Sequence, residues 1–420
     1  MIPAAPATRM FHGWVIVGAA FSVLFVGFGV AYSFAAFFHA LRDEFDATRG
    51  DISLVFAITG FLYFTLGAAS GPLADRGGPR RVVLAGMALV ALGLGLASAA
   101  QELWQVYLTY SLGVGVGVGL AYVPVVGAVQ RWFVRRRGLA SGMAVSGIGA
   151  GTLAIPLAAA AGIELWGWRE TYAALAVFTL VFGIPAALAL ERSPEGRGLQ
   201  PDGDPAPLSV TPAAGPGIRD ALRARPFHLL YLACVCTSVG IFIPFAHLTP
   251  YAKDEGFSEG FGALLVGLIG VGSTGGRLLL GGWADRLGRR RSLAGTFGAM
   301  GLTLLAWPGA TDAWSLAAFA LIFGVAYGGF VALVPALTAD YFGGRSMGGI
   351  LGVLYTAAGA GALAGPVLAG AVYDARDSYT LPILVAVVMN GVAMVCIMLL
   401  PAPGDRGRQQ ARAVAEPTSP

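Results

Sequence analysis

Lysine is almost missing from this 420-residue sequence: Lys253 stands alone against 26 arginines. Charge of either sign is scarce, at 12% of residues, where soluble domains carry about 25%. A chain that is 56% hydrophobic with so little charge cannot cover itself in water, which excludes an ordinary soluble domain. Cysteine is also rare. Cys234, Cys236 and Cys396 all fall in apolar stretches and suggest no disulfide framework. No His/Cys/carboxylate cluster has metal-ligand spacing, and no nucleophile sits with a base, so neither a metal, another cofactor nor an enzyme is expected. The net charge of +4 is dispersed over short loops rather than gathered in a patch, which excludes nucleic acid as a partner.

What is present is a series of apolar runs of about 20 residues, each long enough to cross a bilayer as a helix. Twelve spans are predicted, near 14–39, 52–73, 82–100, 104–130, 139–161, 170–190, 227–251, 261–283, 292–309, 313–338, 347–372 and 380–400. The first is longer than a signal-peptide core and reads as a retained helix. The fold class is an all-α polytopic membrane protein of two six-helix halves. Residues 1–190 form the first bundle, 191–226 a linker, 227–400 the second bundle and 401–420 a tail. The linker begins rich in proline and glycine, and its end, from Ile218 to Arg225, reads as a short surface helix. Arginine placement sets orientation. The flanks and loops that include the termini and the linker hold 21 of the 27 basic residues; the opposite loops hold five. That bias places both termini in the cytoplasm of a cell (plasma or inner) membrane.

A short phrase occurs twice. Gly71, Asp75, Arg76 and Arg80 belong to the first copy; Gly281, Asp285, Arg286 and Arg289 to the second, with the aspartates 210 residues apart. A repeat at half the chain length indicates two similar halves joined end to end. Each Asp lies at the cytoplasmic end of a span, with arginines a turn or two on. Such groups can pair between helix ends and act as a conformational latch or gate. A plain positive loop is the alternative for one copy alone. Gly113, Gly115, Gly117 and Gly119 in span four lack the strand and loop of a nucleotide site and read as close-packing positions.

By this count the spans hold no interior Asp, Glu or Lys and one Arg, Arg277. Eight residues separate it from Asp285, so it lies about 12 Å into the membrane. An unpaired guanidinium there costs several kcal/mol and needs a cavity or a partner. A bound carboxylate would fit its fork. Backbone carbonyls, or snorkelling to the interface, are the alternative. Tyr32, Ser33, Tyr122, Tyr327, Phe330 and Tyr355 are further candidates, able to shape an apolar pocket with a few hydroxyl donors. Helix packing is an equal account of each. His247, the only histidine well within a span, is the candidate for a proton. It sits too far along span seven to bond Arg277 in every state.

The repeated phrase resembles the cytoplasmic loop motif of the major facilitator superfamily, after its second and eighth helices, where both copies fall here. Span four and its exit, Gly119-Leu120-Ala121-Tyr122-Val123-Pro124 leading to Arg131-Trp132-Phe133 and Arg137-Gly138-Leu139-Ala140-Ser141-Gly142, are similar to the monocarboxylate transporter family and its bacterial relatives, the oxalate/formate exchangers among them. His12-Gly13-Trp14 and the stretch from Ile243 to Ala252 fit the same group. The resemblance implies alternating access, with Arg277 at the place where relatives bind the substrate carboxylate. It departs in two places. Ser273 stands where mammalian members carry Asp, and Tyr32 where they carry Lys, so their proton relay is absent. Span eleven also lacks the second cation of the oxalate exchangers, which favours a monocarboxylate. The expectation is a secondary transporter of lactate- or pyruvate-type acids, coupled to a proton and functional as a monomer. An organic-anion exchanger or drug exporter is the alternative, and a carboxylate-binding sensor the alternative of another class.

Overall fold

The computed structural model describes residues 11–133, 136–203, 216–342 and 347–401. Within these, the side chains of Asp75, Arg137, Asp285 and Met347 and the glycines at 138, 203, 281, 282 and 348 lie outside the description. Twelve long helices follow in order: α1 (Gly13–Phe45), α2 (Arg49–Gly77), α3 (Pro79–Ala97), α4 (Leu103–Trp132), α5 (Arg137–Trp166), α6 (Trp168–Ala189), α7 (Arg225–Asp254), α8 (Glu259–Leu287), α9 (Arg289–Ala306), α10 (Ala313–Phe342), α11 (Met347–Arg376) and α12 (Thr380–Met398). Among the described residues, eleven are long and apolar enough to cross a membrane. The exception is α9, whose 18 residues open with Arg289, Arg290 and Arg291. Its charges sit at one end, so the rest is apolar but short. A short helix, Ile218–Arg223, precedes α7 where the linker was expected to form one.

The linker and the first described residues share one face of the bundle, here the linker face. The α1–α2, α7–α8 and α11–α12 turns share the other, the far face. Within the first half α1 packs along α5, and α4 against α2 and α3; within the second, α7 packs along α11 and α8 along α10. Two seams join the halves, α2 with α11 and α5 with α8, and α1 also touches α7.

The repeat survives as geometry. Thr48 accepts from Asp51 N–H and caps α2; Ser258, 210 residues on, accepts from Phe261 N–H and caps α8. Gly78 and Gly288 close those helices at φ +84° and +88°, a region that a residue with a Cβ enters only with strain. Arg80 Nε donates to the Leu190 carbonyl at 2.9 Å, and Arg290 donates to the Leu400 carbonyl at the equivalent place. The α4 glycines serve two neighbours. A Cβ on Gly117 would lie 2.6 Å from Val90 of α3, and one on Gly119 would lie 2.9 Å from Leu66 of α2. Two stripes on one helix let both neighbours approach closely.

Candidate functional site

Arg277 projects from α8 between the halves. Its neighbours in sequence, Leu278 and Leu279, are exposed on the outer surface of the bundle, while Arg277 is half-buried. A guanidinium carries five N–H donors. Here Nη1 reaches the Val145 carbonyl of α5 at 3.4 Å, a long bond, and Nε is buried with no partner. Among the described residues, backbone capture, the alternative to a bound anion, is thus present only as that one weak contact.

Aromatic rings from six helices surround the space near Arg277. The hydroxyls of Tyr32 (α1) and Tyr327 (α10) meet across the halves at 3.4 Å. Phe245 (α7) stacks on Tyr32 at 4.5 Å and meets Tyr327 edge-on at 5.4 Å. Phe28 touches Tyr32, Tyr63 and Tyr122, and Tyr122 faces Tyr355 at 6.4 Å. Arg277 lies within electrostatic reach of Tyr32, Tyr327 and Tyr355. The structure therefore brings together Arg277, Tyr32, Tyr122, Tyr327 and Tyr355, and adds Tyr63 and Phe245. Tyr122 and Tyr355 are half-buried, as Arg277 is, so these groups border open space rather than a sealed core.

Two candidates point elsewhere. Ser33 is fully buried and donates to the Val30 carbonyl of its own helix at 2.8 Å. Phe330 packs on Phe297 of α9, with centroids 6.0 Å apart, in the contact between α9 and α10. Ser273, one turn before Arg277, is buried with its hydroxyl unpartnered.

His247 lies nearer the far face and is fully buried. Its Nε2 lies 2.8 Å from the Pro366 carbonyl and 3.1 Å from Ser53 Oγ. Its Nδ1 lies 3.1 Å from the Tyr379 hydroxyl. A carbonyl only accepts, so Nε2 carries the proton. Arg49 Nη1 donates to the Tyr379 oxygen at 2.8 Å, leaving the phenol proton free for Nδ1. The network is satisfied with a neutral imidazole and contains no bond to Arg277.

At the linker face, Asp75, Asp285 and Gly281 of the repeated phrase lie outside the described residues. Gly71 packs against Val123 of α4. Arg76 and Arg286 are exposed. Arg80 approaches Glu191 at 3.6 Å, and Arg289 pairs with Asp340 at 2.6 Å. These pairs stay within one half each. The helix-end pairing expected of Asp75 and Asp285 falls on side chains outside the described residues.

Residues 19–308 and 250–420 match the model of the Major Facilitator Superfamily. The solved structure of a bacterial homolog of the human lysosomal transporter Spinster, in an inward-facing and unoccupied conformation, superposes with a TM-score of 0.72. The match covers 93% of this chain and 98% of that one at 13% identity, so it speaks for the fold alone. The class is thereby defined: a membrane transporter of the major facilitator fold. Monocarboxylate transporter 11 of Homo sapiens is 30% identical over 386 residues, covering 89% of this chain and 80% of its own length. Monocarboxylate transporter 3 of Rattus norvegicus is 33% identical over 408 residues, covering 91% and 79%. Within the Major Facilitator Superfamily, the chain belongs to the monocarboxylate transporter family.

Proposed function

We propose that the protein is a secondary active transporter that carries a small monocarboxylate of the lactate or pyruvate type together with a proton, by alternating access across the cell membrane. The observation that carries this reading is Arg277: a half-buried guanidinium between the halves with one long bond and an unpartnered Nε. A carboxylate meets that fork with two charge-assisted bonds. Tyr32, Tyr327, Tyr122 and Tyr355 supply hydroxyls and apolar faces for the rest of the substrate. One guanidinium balances one carboxylate, and residues 347–372 of α11 contain no Lys or Arg to balance a second. The names of the relatives, monocarboxylate transporters, support the same cargo.

The arginine bias puts the linker face in the cytoplasm and the far face outside. His247 is the proton carrier in this reading. Parting of the halves at the far face breaks its contact with Ser53 and opens the imidazole to water, from which it can take up a proton.

The test is uptake of labelled lactate into proteoliposomes. Arg277→Ala should lower uptake by about a hundredfold or more, since a charged hydrogen-bond partner is lost in a site of low dielectric. Arg277→Lys should restore little, because the ammonium lacks the fork. An inward proton gradient should raise uptake, and His247→Gln should remove that response. Uptake unchanged in Arg277→Ala would sink the binding assignment. Uptake that ignores the gradient and needs a counter-carboxylate would mark an exchanger.

A further inference from the structure

The far-face end of α2 faces a cluster of acceptors that neither transport chemistry nor the repeated phrase explains. Arg49 Nη2 donates to Asp254 of α7 at 2.7 Å, and Nη1 to Tyr379, the residue before α12, at 2.8 Å. The guanidinium lies 4.0 Å above the Tyr373 ring of α11. The backbone N–H groups of Arg49 and Gly50 donate to the two oxygens of Asp374 at 3.0 and 2.8 Å. One turn deeper, Ser53 meets His247. The first half supplies the Arg49 guanidinium and both amides; the second half supplies the carboxylates and the phenol that receive them. The Arg49 side chain is 7% exposed, against 33% for its partner Asp254.

We propose that this cluster is the outer gate of the transporter and that Arg49 is its bolt, fastening one helix end of the first half to α7, α11 and the start of α12 in the second. Charge-assisted bonds from one buried side chain to two elements hold better than separate exposed pairs. Removing the guanidinium takes one donor each from Asp254 and Tyr379, which keep their bonds to Tyr373 and His247. Asp374 continues to hold the α2 amides, so the gate weakens without losing every tie. Opening the far face requires all of these bonds to part together, which makes the closed end a discrete state rather than a soft one. The inference holds whatever the cargo.

The test reads far-face opening directly. Phe38 is fully buried beneath the gate, its ring 5.8 Å from that of His247. A Phe38→Cys reporter is placed in the full chain, with the three native cysteines replaced by alanine, and labelled in nanodiscs with a maleimide in the absence of substrate. Arg49→Ala should speed labelling by about tenfold, the size expected when a closed state loses one coupled contact set. Arg49→Lys should fall between. Equal rates in all three would overturn the proposal. A second measurement leaves Arg49 in place. A Cβ on Gly50 would lie 3.6 Å from Ala371 Cα, so Gly50→Cys with Ala371→Cys should form a disulfide under oxidant. Oxidation should stop transport in proteoliposomes, and reductant should restore it. A pair that never cross-links, or that cross-links and still transports at the reduced rate, would overturn the gate.

Discussion

The two seams between the halves are related by the internal repeat, yet they are fastened at different depths. The α2–α11 seam is tied at its far end, where Asp374 holds the amides of Arg49 and Gly50. The positions 210 residues away on the α5–α8 seam are Glu164 and Glu259. Two carboxylates stand there in place of an Asp and an Arg, and Glu259 pairs with Lys253 of α7 within its own half. The α5–α8 seam is tight lower down, where a Cβ on Gly149 would strike the Thr274 hydroxyl and lie 2.9 Å from the Gly270 carbonyl. Arg277 reaches Val145 across the same seam. In the proposed reading, the α2–α11 seam carries the closure and the α5–α8 seam the cargo.

That division can be tested at the seams themselves. Of the seam substitutions, Gly149→Leu should have the larger effect. Overpacking at a backbone contact costs about 1–3 kcal/mol, so uptake should fall about tenfold or more. Gly352→Ala on the other seam, whose Cβ would lie 3.1 Å from Ala68, should cost less than about threefold in the same assay. Equal losses would show that the seams share the work. Next in size is Tyr32→Phe, which deletes the hydroxyl that meets Tyr327. A long neutral hydrogen bond is worth about 1 kcal/mol or less, so the apparent affinity for lactate should weaken by about two- to fivefold. An unchanged affinity would limit Tyr32 to packing.

The smallest effect is expected where the halves differ outside the membrane. Glu191 receives Arg197 at 2.7 and 2.6 Å, and that hydrogen bond holds its carboxyl below the ordinary range. Pro401 occupies the corresponding position in the second half. A lowered carboxyl pKa adds stability above the ordinary pKa, and that stability is lost as pH falls through the lowered value. Glu191→Gln should therefore melt about 1–2 °C below the parent near neutral pH, with the gap closing in acid. A gap that persists in acid would assign the effect to packing.

Most of the fold was legible because the signals are local. Apolar length gave the crossings, and the one helix that fails that criterion, α9, does so because three arginines open it. Arg277 was legible for the same reason: a charge inside an apolar run is costly wherever that helix packs. The aromatic lining was legible only in part. Ser33 and Phe330 turn away from the space near Arg277, while Tyr63 and Phe245 turn toward it. Helical phase relative to a partner decides this, and the sequence of one helix does not contain it. Arg49 looked like one of five basic residues in the opposite loops. Nothing local distinguishes it from Arg42, which pairs with its neighbour Asp43 on the surface.

The sequence alone determined that the chain crosses a membrane many times, that it is built twice over, and that one cation is held where only an anion or a carbonyl can satisfy it. These follow from transfer costs that add residue by residue along a helix. The tertiary structure decided which groups meet. Tyr32 reaches Tyr327, His247 bridges Ser53 and Pro366, and Arg49 joins Asp254 to Tyr379 across separations of 119 to 330 residues. Such meetings depend on how each helix is rotated and crossed against its neighbours, and only the packed bundle fixes those angles.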